Sequence, residues 1–186
     1  MKKKDFIQNI AIIAVLALLV IILRTFVFTP VVVSGNSMDP TLLNNERVIA
    51  LKNQEIKRFA IVTLKAPDDT NENYVKRVIG LPGDHLQVME DVLYINGQPV
   101  NESYLQPQKK HLLDQEAFTN DFTLQNVVGV ETIPKNMYFV MGDNRKVSKD
   151  SRAFGLINKN DIFGVVRFAY WPLNRFGPVS DVVENN

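Results

Sequence analysis

The chain has 186 residues and a formal net charge of +1, which fits one domain of ordinary size with an appendage and gives no electrostatic case for a nucleic-acid partner. It contains no cysteine, which excludes disulfides, thiolate chemistry and cysteine-based metal sites. Only two histidines occur, His85 and His111, so a histidine-rich metal site is excluded as well.

At the N-terminus, Lys2, Lys3 and Lys4 precede an apolar stretch that is unbroken from Ile10 to Leu23. Arg24 and Thr25 interrupt it, and Phe26, Val27 and Phe28 resume it. Residues 6–28 would span roughly 34 Å as a helix, against a hydrocarbon core of about 30 Å. The stretch predicts a transmembrane anchor over 6–28, ended by Pro30, with Arg24 able to snorkel to the headgroups. Three lysines before the span and no comparable cluster just after it place residues 1–5 in the cytoplasm and residues 29–186 outside, in a single pass through the plasma membrane. A cleavable signal peptide is the rival reading. However, no small-x-small site follows the run, which continues as the bulky RTFVFTPVVV. No polar face interrupts residues 10–23, which argues against a buried core helix.

Residues 31–43 read VVVSGNSMDPTLL. The β-branched run favours a strand. Gly35 and Asn36 tolerate unusual backbone angles, and Pro40 biases Asp39 away from helix. Ser37 is therefore expected on a tight bend at a strand end, beside apolar Met38. A hydroxyl held that way is either a nucleophile, if something takes its proton, or part of an ordinary polar turn.

The remainder reads as β. Short strands are expected at 47–51, 59–64, 74–81, 86–89, 92–95, 137–141 and 161–170, the last with Gly164 as a bulge. Asn96 and Gly97 signal a hairpin before 98–100. No soluble amphipathic helix, repeat or low-complexity run stands out. Residues 101–135 are polar, with a weakly apolar patch at 124–130, and read as an inserted subdomain or a long surface excursion. His85 and His111 read as a turn and a loop residue, and the tail after Pro172 as loosely held.

The usual proton acceptor for a serine, a histidine with a carboxylate, is unpromising here, because the two histidines read as turn and loop residues. The GxSxG elbow is absent, and no serine is followed three residues later by lysine. The other chemical option is a neutral lysine amine. Lys76 lies in the apolar strand 74–79, with Val78 on its face and Val75, Arg77 and Ile79 on the other. Both faces carry a cation, and alternation does not say which is buried. A free lysine with pKa about 10.4 is neutral only about 0.04% of the time at pH 7, and raising that to half costs about 4.6 kcal/mol, which apolar burial can supply. An exposed lysine on an edge strand is the plainer alternative. The third stretch, GDNRKVSKDSRAFG at 142–155, carries two Asp and two Arg, two serines and bracketing glycines. Without context it is a turn held by ion pairs.

Taken together and in this order, SGNSMDPTL, ERV, YVKRVIGLPGD and GDNRKVSKDSRAFG after one apolar anchor resemble the bacterial type I signal peptidases of the single-anchor, Gram-positive kind. The resemblance covers the chain except 101–135 and the tail. It implies that Ser37 is the nucleophile and Lys76 the general base. Ser148 matches the serine that hydrogen-bonds and orients the lysine. Asp150 and Arg152 match a supporting ion pair, Asp143 and Arg145 structural positions of the same loop, and Met38 the residue packed on the lysine. It further implies a mainly β fold, with the N-terminal transmembrane helix followed by an antiparallel β catalytic domain of coiled or barrel-like sheets. No metal or cofactor is implied, and the expected partners are signal peptides of secreted preproteins and membrane lipid.

In the Gram-negative pattern a serine two places before the nucleophile lends its hydroxyl to the oxyanion hole. Here that position is Gly35, so the second oxyanion donor stays open beside the Ser37 N–H, and Gly35→Ser is expected to be tolerated. Self-cleaving repressor-type peptidases share the Ser/Lys pair, but they are cytosolic, and the anchor argues against them. A non-catalytic, membrane-tethered β module is the remaining alternative.

Overall fold

The computed structural model describes residues 3–68, 72–110 and 116–179, with side chains from Phe6 onward. His111, Lys2, part of the polar loop before Asn73 and the end of the tail lie outside the described residues. The chain opens with helix α1, Lys3–Phe26. Its stretch Phe6–Phe26 is long and apolar enough to cross a membrane, and none of it is buried against protein. The helix stops before Phe28, earlier than the end of the apolar run. Lys52 Nζ donates to the otherwise orphaned carbonyls of Arg24 (3.3 Å) and Thr25 (2.8 Å). The chain then passes directly into β1, Phe28–Val32. Pro30 is accommodated because β1 is an edge strand, paired only with the next strand, so a missing N–H costs nothing on the open side.

The following elements, in order, are β2 (Arg47–Leu51), β3 (Ile61–Lys65), β4 (Asn73–Gly80), β5 (Leu86–Met89), β6 (Val92–Ile95) and β7 (Gln98–Val100). A 3-10 turn, Ser103–Leu105, leads into the single-turn helix α2 (Gln106–Lys109). Then come β8 (Phe122–Thr123), α3 (Leu124–Val128), β9 (Met137–Met141), α4 (Ser151–Phe154), β10 (Ile157–Asn158), β11 (Ile162–Trp171) and β12 (Gly177–Pro178).

Two antiparallel sheets result. The larger runs β1-β2-β11-β3-β4-β9-β10, with β12 added to β11, and the smaller runs β7-β6-β5-β8. The larger sheet has two free edges among the described residues and does not close into a barrel. The mainly β, antiparallel architecture expected from the sequence is thus present in open form. Asn96 and Gly97 both have positive φ, 53° and 78°, as a two-residue hairpin turn between β6 and β7 requires. At Gly164 the β11–β3 register shifts, and a Cβ there would come within 2.9 Å of Ala50 Cβ. Bulge and close packing together explain the glycine.

β4 sits inside the larger sheet between β3 and β9, and every residue from Val75 to Gly80 is buried. Such a continuous buried run is what a strand covered on both faces looks like. The described parts of 101–135 are not a loose excursion. Leu105, Phe118, Phe122, Leu124 and Ile133 are buried, and the last three share one core cluster with Ile79, Leu86, Phe139 and Met141. The helices after α1 are each a turn or little more, consistent with the lack of any amphipathic helix in the sequence.

Gly80 ends β4 against this cluster, and a Cβ there would lie 2.3 Å from Ile133 Cδ1 and 2.6 Å from Leu86 Cδ1. Gly80→Val should therefore overpack the junction of the two sheets and destabilise by about 1–3 kcal/mol. Thermal unfolding of the detergent-solubilised chain checks this, and an unchanged Tm would contradict it.

Candidate active site

The Ser37 segment is fixed by main-chain bonds before any side chain acts. Val33 N–H donates to Glu46 O and Asn45 N–H to Val33 O, both at 2.8 Å. Gly35 takes φ +80° and donates its N–H to Asn44 Oδ1 at 3.0 Å. Asp39 N–H and Leu42 N–H then reach back to Asn36 O and Met38 O, winding residues 36–42 into a tight turn. Met38 and Leu42, both essentially fully buried, anchor the turn in a cluster with Val33, Val48, Ile61, Val75 and Val166. Ser37 stays half-buried at the surface of this plug. The space around Gly35 is open, but its left-handed φ would cost a serine about 1–2 kcal/mol, so backbone strain opposes the tolerance expected from the sequence.

Lys76 Nζ donates to Ser37 Oγ at 2.8 Å. The lysine is 3% exposed, on the β4 face opposite Arg77. Burial pulls its pKa down from 10.5 to about 8. The Asp150 carboxylate opposes that shift, the Arg152 guanidinium adds to it, and Asp143 and Asp68 oppose it more weakly. The Tyr74 ring centroid lies 5.3 Å from Nζ. A cleft of about 450 Å³ opens over the pair, lined among others by Ser34, Ser37, Tyr74, Lys76, Asn144 and Lys149. Among the described residues the Ser37 N–H has no hydrogen-bond acceptor.

The loop after β9 grips the Ser37 segment from behind. Asn144 N–H donates to Ser37 O at 3.0 Å. Gly142 abuts the same carbonyl so closely that a Cβ would fall 2.3 Å from it and 2.2 Å from Ser148 Oγ. The two Asp and two Arg of the loop do not pair as neighbours throughout. Asp150 and Arg152 do form a two-contact pair, at 2.7 and 2.8 Å, and Asp150 also accepts from Gly142 N–H. Burial would raise the Asp150 carboxyl, but Arg152 and the Gly142 N–H hold it below the usual carboxylate range. Asp143, by contrast, pairs with Arg77 of β4, Nε to Oδ1 at 2.8 Å and Nη2 to Oδ2 at 2.6 Å, and accepts from Thr41 Oγ1 at 2.5 Å. Arg145 pairs with Glu102. Ser148 Oγ is buried without a hydrogen bond of good geometry. It lies near enough to Asp150 to favour that carboxylate's ionised form, and no bond to Lys76 is formed here.

Sequence reasoning thus brought Ser37, Lys76, Asp150 and Arg152 to one place and missed Arg77, Thr41, Gly142, Glu102 and Tyr104. The signal for Arg77 was present: a second cation in an apolar strand needs a buried partner if both faces are covered. Glu102 and Tyr104 carried no signal, because the segment around them is locally polar.

The buried ammonium has a thermodynamic consequence. A lysine whose pKa falls from 10.5 to about 8 on folding penalises the folded state by about 3 kcal/mol at pH 7. The penalty is fully present below pH 8 and vanishes as pH rises through 10.5. Lys76→Met should therefore raise Tm at pH 7, with the gain shrinking toward pH 10. A variant less stable than wild type at both pH values would contradict this.

Comparisons with known proteins place the chain in one family. Residues 6–171 match the family described as signal peptidase, peptidase S26. Signal peptidase I of Bacillus caldolyticus is 48% identical over 158 residues, covering 83% of this chain and 85% of that relative. Signal peptidase I P of Bacillus subtilis subsp. natto is 43% identical over 179 residues, with 94% of both chains covered. The crystal structure of a signal peptidase I from Enterococcus faecalis V583 superposes with a TM-score of 0.58 at 39% identity, covering 60% of this chain and 97% of that one. The chain belongs to the signal peptidase family, peptidase S26.

Proposed function

We propose that the protein is a membrane-anchored serine endopeptidase that removes signal peptides from secreted preproteins, with Ser37 as nucleophile and Lys76 as general base. The observation that carries the reading is the 2.8 Å contact between Ser37 Oγ and a buried lysine with pKa near 8. At that pKa about a tenth of Lys76 is neutral at pH 7, some hundreds of times more than for a free lysine. Neutral Lys76 accepts the Ser37 proton as Oγ attacks the scissile carbonyl. The Ser37 N–H stabilises the tetrahedral anion. Lys76 then protonates the leaving amine, and the acyl-enzyme on Ser37 is hydrolysed by water that Lys76 deprotonates. Cleavage follows small residues of the Ala-x-Ala kind, as the family resemblance implies.

Met38 contributes as the buried plug under the turn, and Asp150 with Arg152 as a charge pair whose members act on Lys76 in opposite directions. Ser148 supports the loop that carries Gly142. The helix α1 holds the β domain at the membrane, with residues 1–5 cytoplasmic and 29–186 outside. Phe26, Val27 and Val32 are exposed around the end of α1, which supports contact with lipid there. This orientation predicts that protease added to intact spheroplasts degrades the domain while a cytosolic control survives; protection until lysis would overturn it.

The dyad predicts that Ser37→Ala and Lys76→Ala abolish preprotein cleavage in detergent while the chain stays folded. Lys76→Arg should be equally inactive, because a guanidinium does not give up its proton near neutral pH. Because it is the neutral amine that works, the wild-type rate should rise with pH and level off above about 8. Near wild-type cleavage by Lys76→Arg would make the lysine a structural cation and overturn the assignment.

A further inference from the structure

Glu102 and Tyr104 lie outside all the motifs that carry the family resemblance, in the turn after β7 of the smaller sheet. Yet they meet the loop after β9 at its core. Glu102 is 8% exposed and Arg145 3% exposed. Every N–H of the Arg145 guanidinium has an acceptor. Nη2 donates to Glu102 Oε1 at 2.5 Å and to Tyr104 Oη at 3.0 Å. Nη1 donates to Glu102 Oε2 and to Thr119 Oγ1, both at 3.2 Å. Nε donates to Gly142 O at 3.1 Å. Tyr104 Oη in turn donates to Glu102 Oε1 at 2.5 Å. The Tyr104 ring has a second contact: its centroid lies 4.1 Å from the Arg77 guanidinium carbon.

Each arm of this cluster ends on the Ser37 segment. Through Arg145 it holds Gly142, whose Cα leaves no room for a Cβ against Ser37 O. Through Arg77 it holds Asp143, which accepts from Thr41 four residues beyond the nucleophile. We propose that Glu102 and Tyr104 form a strut by which the smaller sheet positions the Ser37 main chain for cleavage, and that they are positioning residues for kcat without touching the substrate cleft. None of the cleft-lining residues belongs to the strut. A half-broken strut leaves a buried guanidinium short of acceptors, which favours rearrangement of the loop over simple loss of one bond. Displacements on the order of 1 Å at a reacting centre are enough to cost about a hundredfold in rate.

The inference rests on the Ser/Lys reading, and the test separates the two. Full-length wild type, Glu102→Gln, Tyr104→Phe, Tyr104→Leu and Ser37→Ala are assayed in detergent on one preprotein. The temperature is chosen well below the Tm of every variant, with circular dichroism confirming the folded state. Glu102→Gln should lower kcat by about tenfold or more, with KM within about twofold and the pH midpoint unmoved, since Lys76 keeps its own neighbours. Tyr104→Phe keeps the ring over Arg77 and should lose less, about threefold to tenfold, whereas Tyr104→Leu should match Glu102→Gln. Wild-type kcat in folded Tyr104→Phe and Tyr104→Leu would overturn the strut even if Glu102→Gln failed to fold. A rise in KM at constant kcat would overturn it as well, because that signature belongs to substrate binding. Cleavage by Ser37→Ala would instead overturn the dyad.

Discussion

The Arg77–Asp143 pair is the constraint on which the site depends. It is buried on both sides, makes two parallel contacts and joins β4 to the loop after β9. Asp143 also accepts from Thr41, so three separate stretches of sequence converge on one carboxylate. Breaking such a pair from one side strands a charge in the interior at a cost of about 3–5 kcal/mol. Most of that cost would appear as lost geometry between the Ser37 turn and its supporting loop.

Lys76 and Arg77 are neighbours on one strand and meet opposite fates. Arg77 faces a carboxylate, the Phe59 carbonyl and the Tyr104 ring, all of which favour its charge. Lys76 faces a hydroxyl and a cleft, while Asp150 and Arg152 behind it act on it in opposite directions. The strand therefore carries one cation kept charged and one poised to lose its proton. Alternation in β structure makes this possible within two residues. The choice of amino acid fits the division, since only lysine can become neutral near pH 8.

Much of this was legible in the sequence, for identifiable reasons. Strands β2, β5, β6 and β9 were readable to the residue because each is a short apolar run between turn-forming residues. The turn at Ser37 was readable from Gly35, Asn36 and Pro40. The end of α1 was misplaced because the apolar run continues into β1, where Pro30 is harmless at a sheet edge. The partners of Asp143 and Arg145 were not readable, since proximity along the chain suggests pairing with each other. Their actual partners, Arg77 and Glu102, are 66 and 43 residues away. Only the antiparallel register of β4 and β9 brings Arg77 opposite Met141, two residues before Asp143.

Helix α1 runs into β1 with a single residue between them, and Lys52 clamps its last carbonyls to the sheet. There is no slack at this joint. Five residues of β1 and five more reach Ser37, a contour of roughly 30 Å even if fully extended. Ser37 is therefore carried on a short arm from the helix, and with α1 in a membrane as proposed, tilting or rotating the helix would sweep Ser37 through an arc. On the proposed anchoring, the reactive serine would work at a fixed height. Bilayer thickness and helix length would then become determinants of which peptide bonds come within its reach.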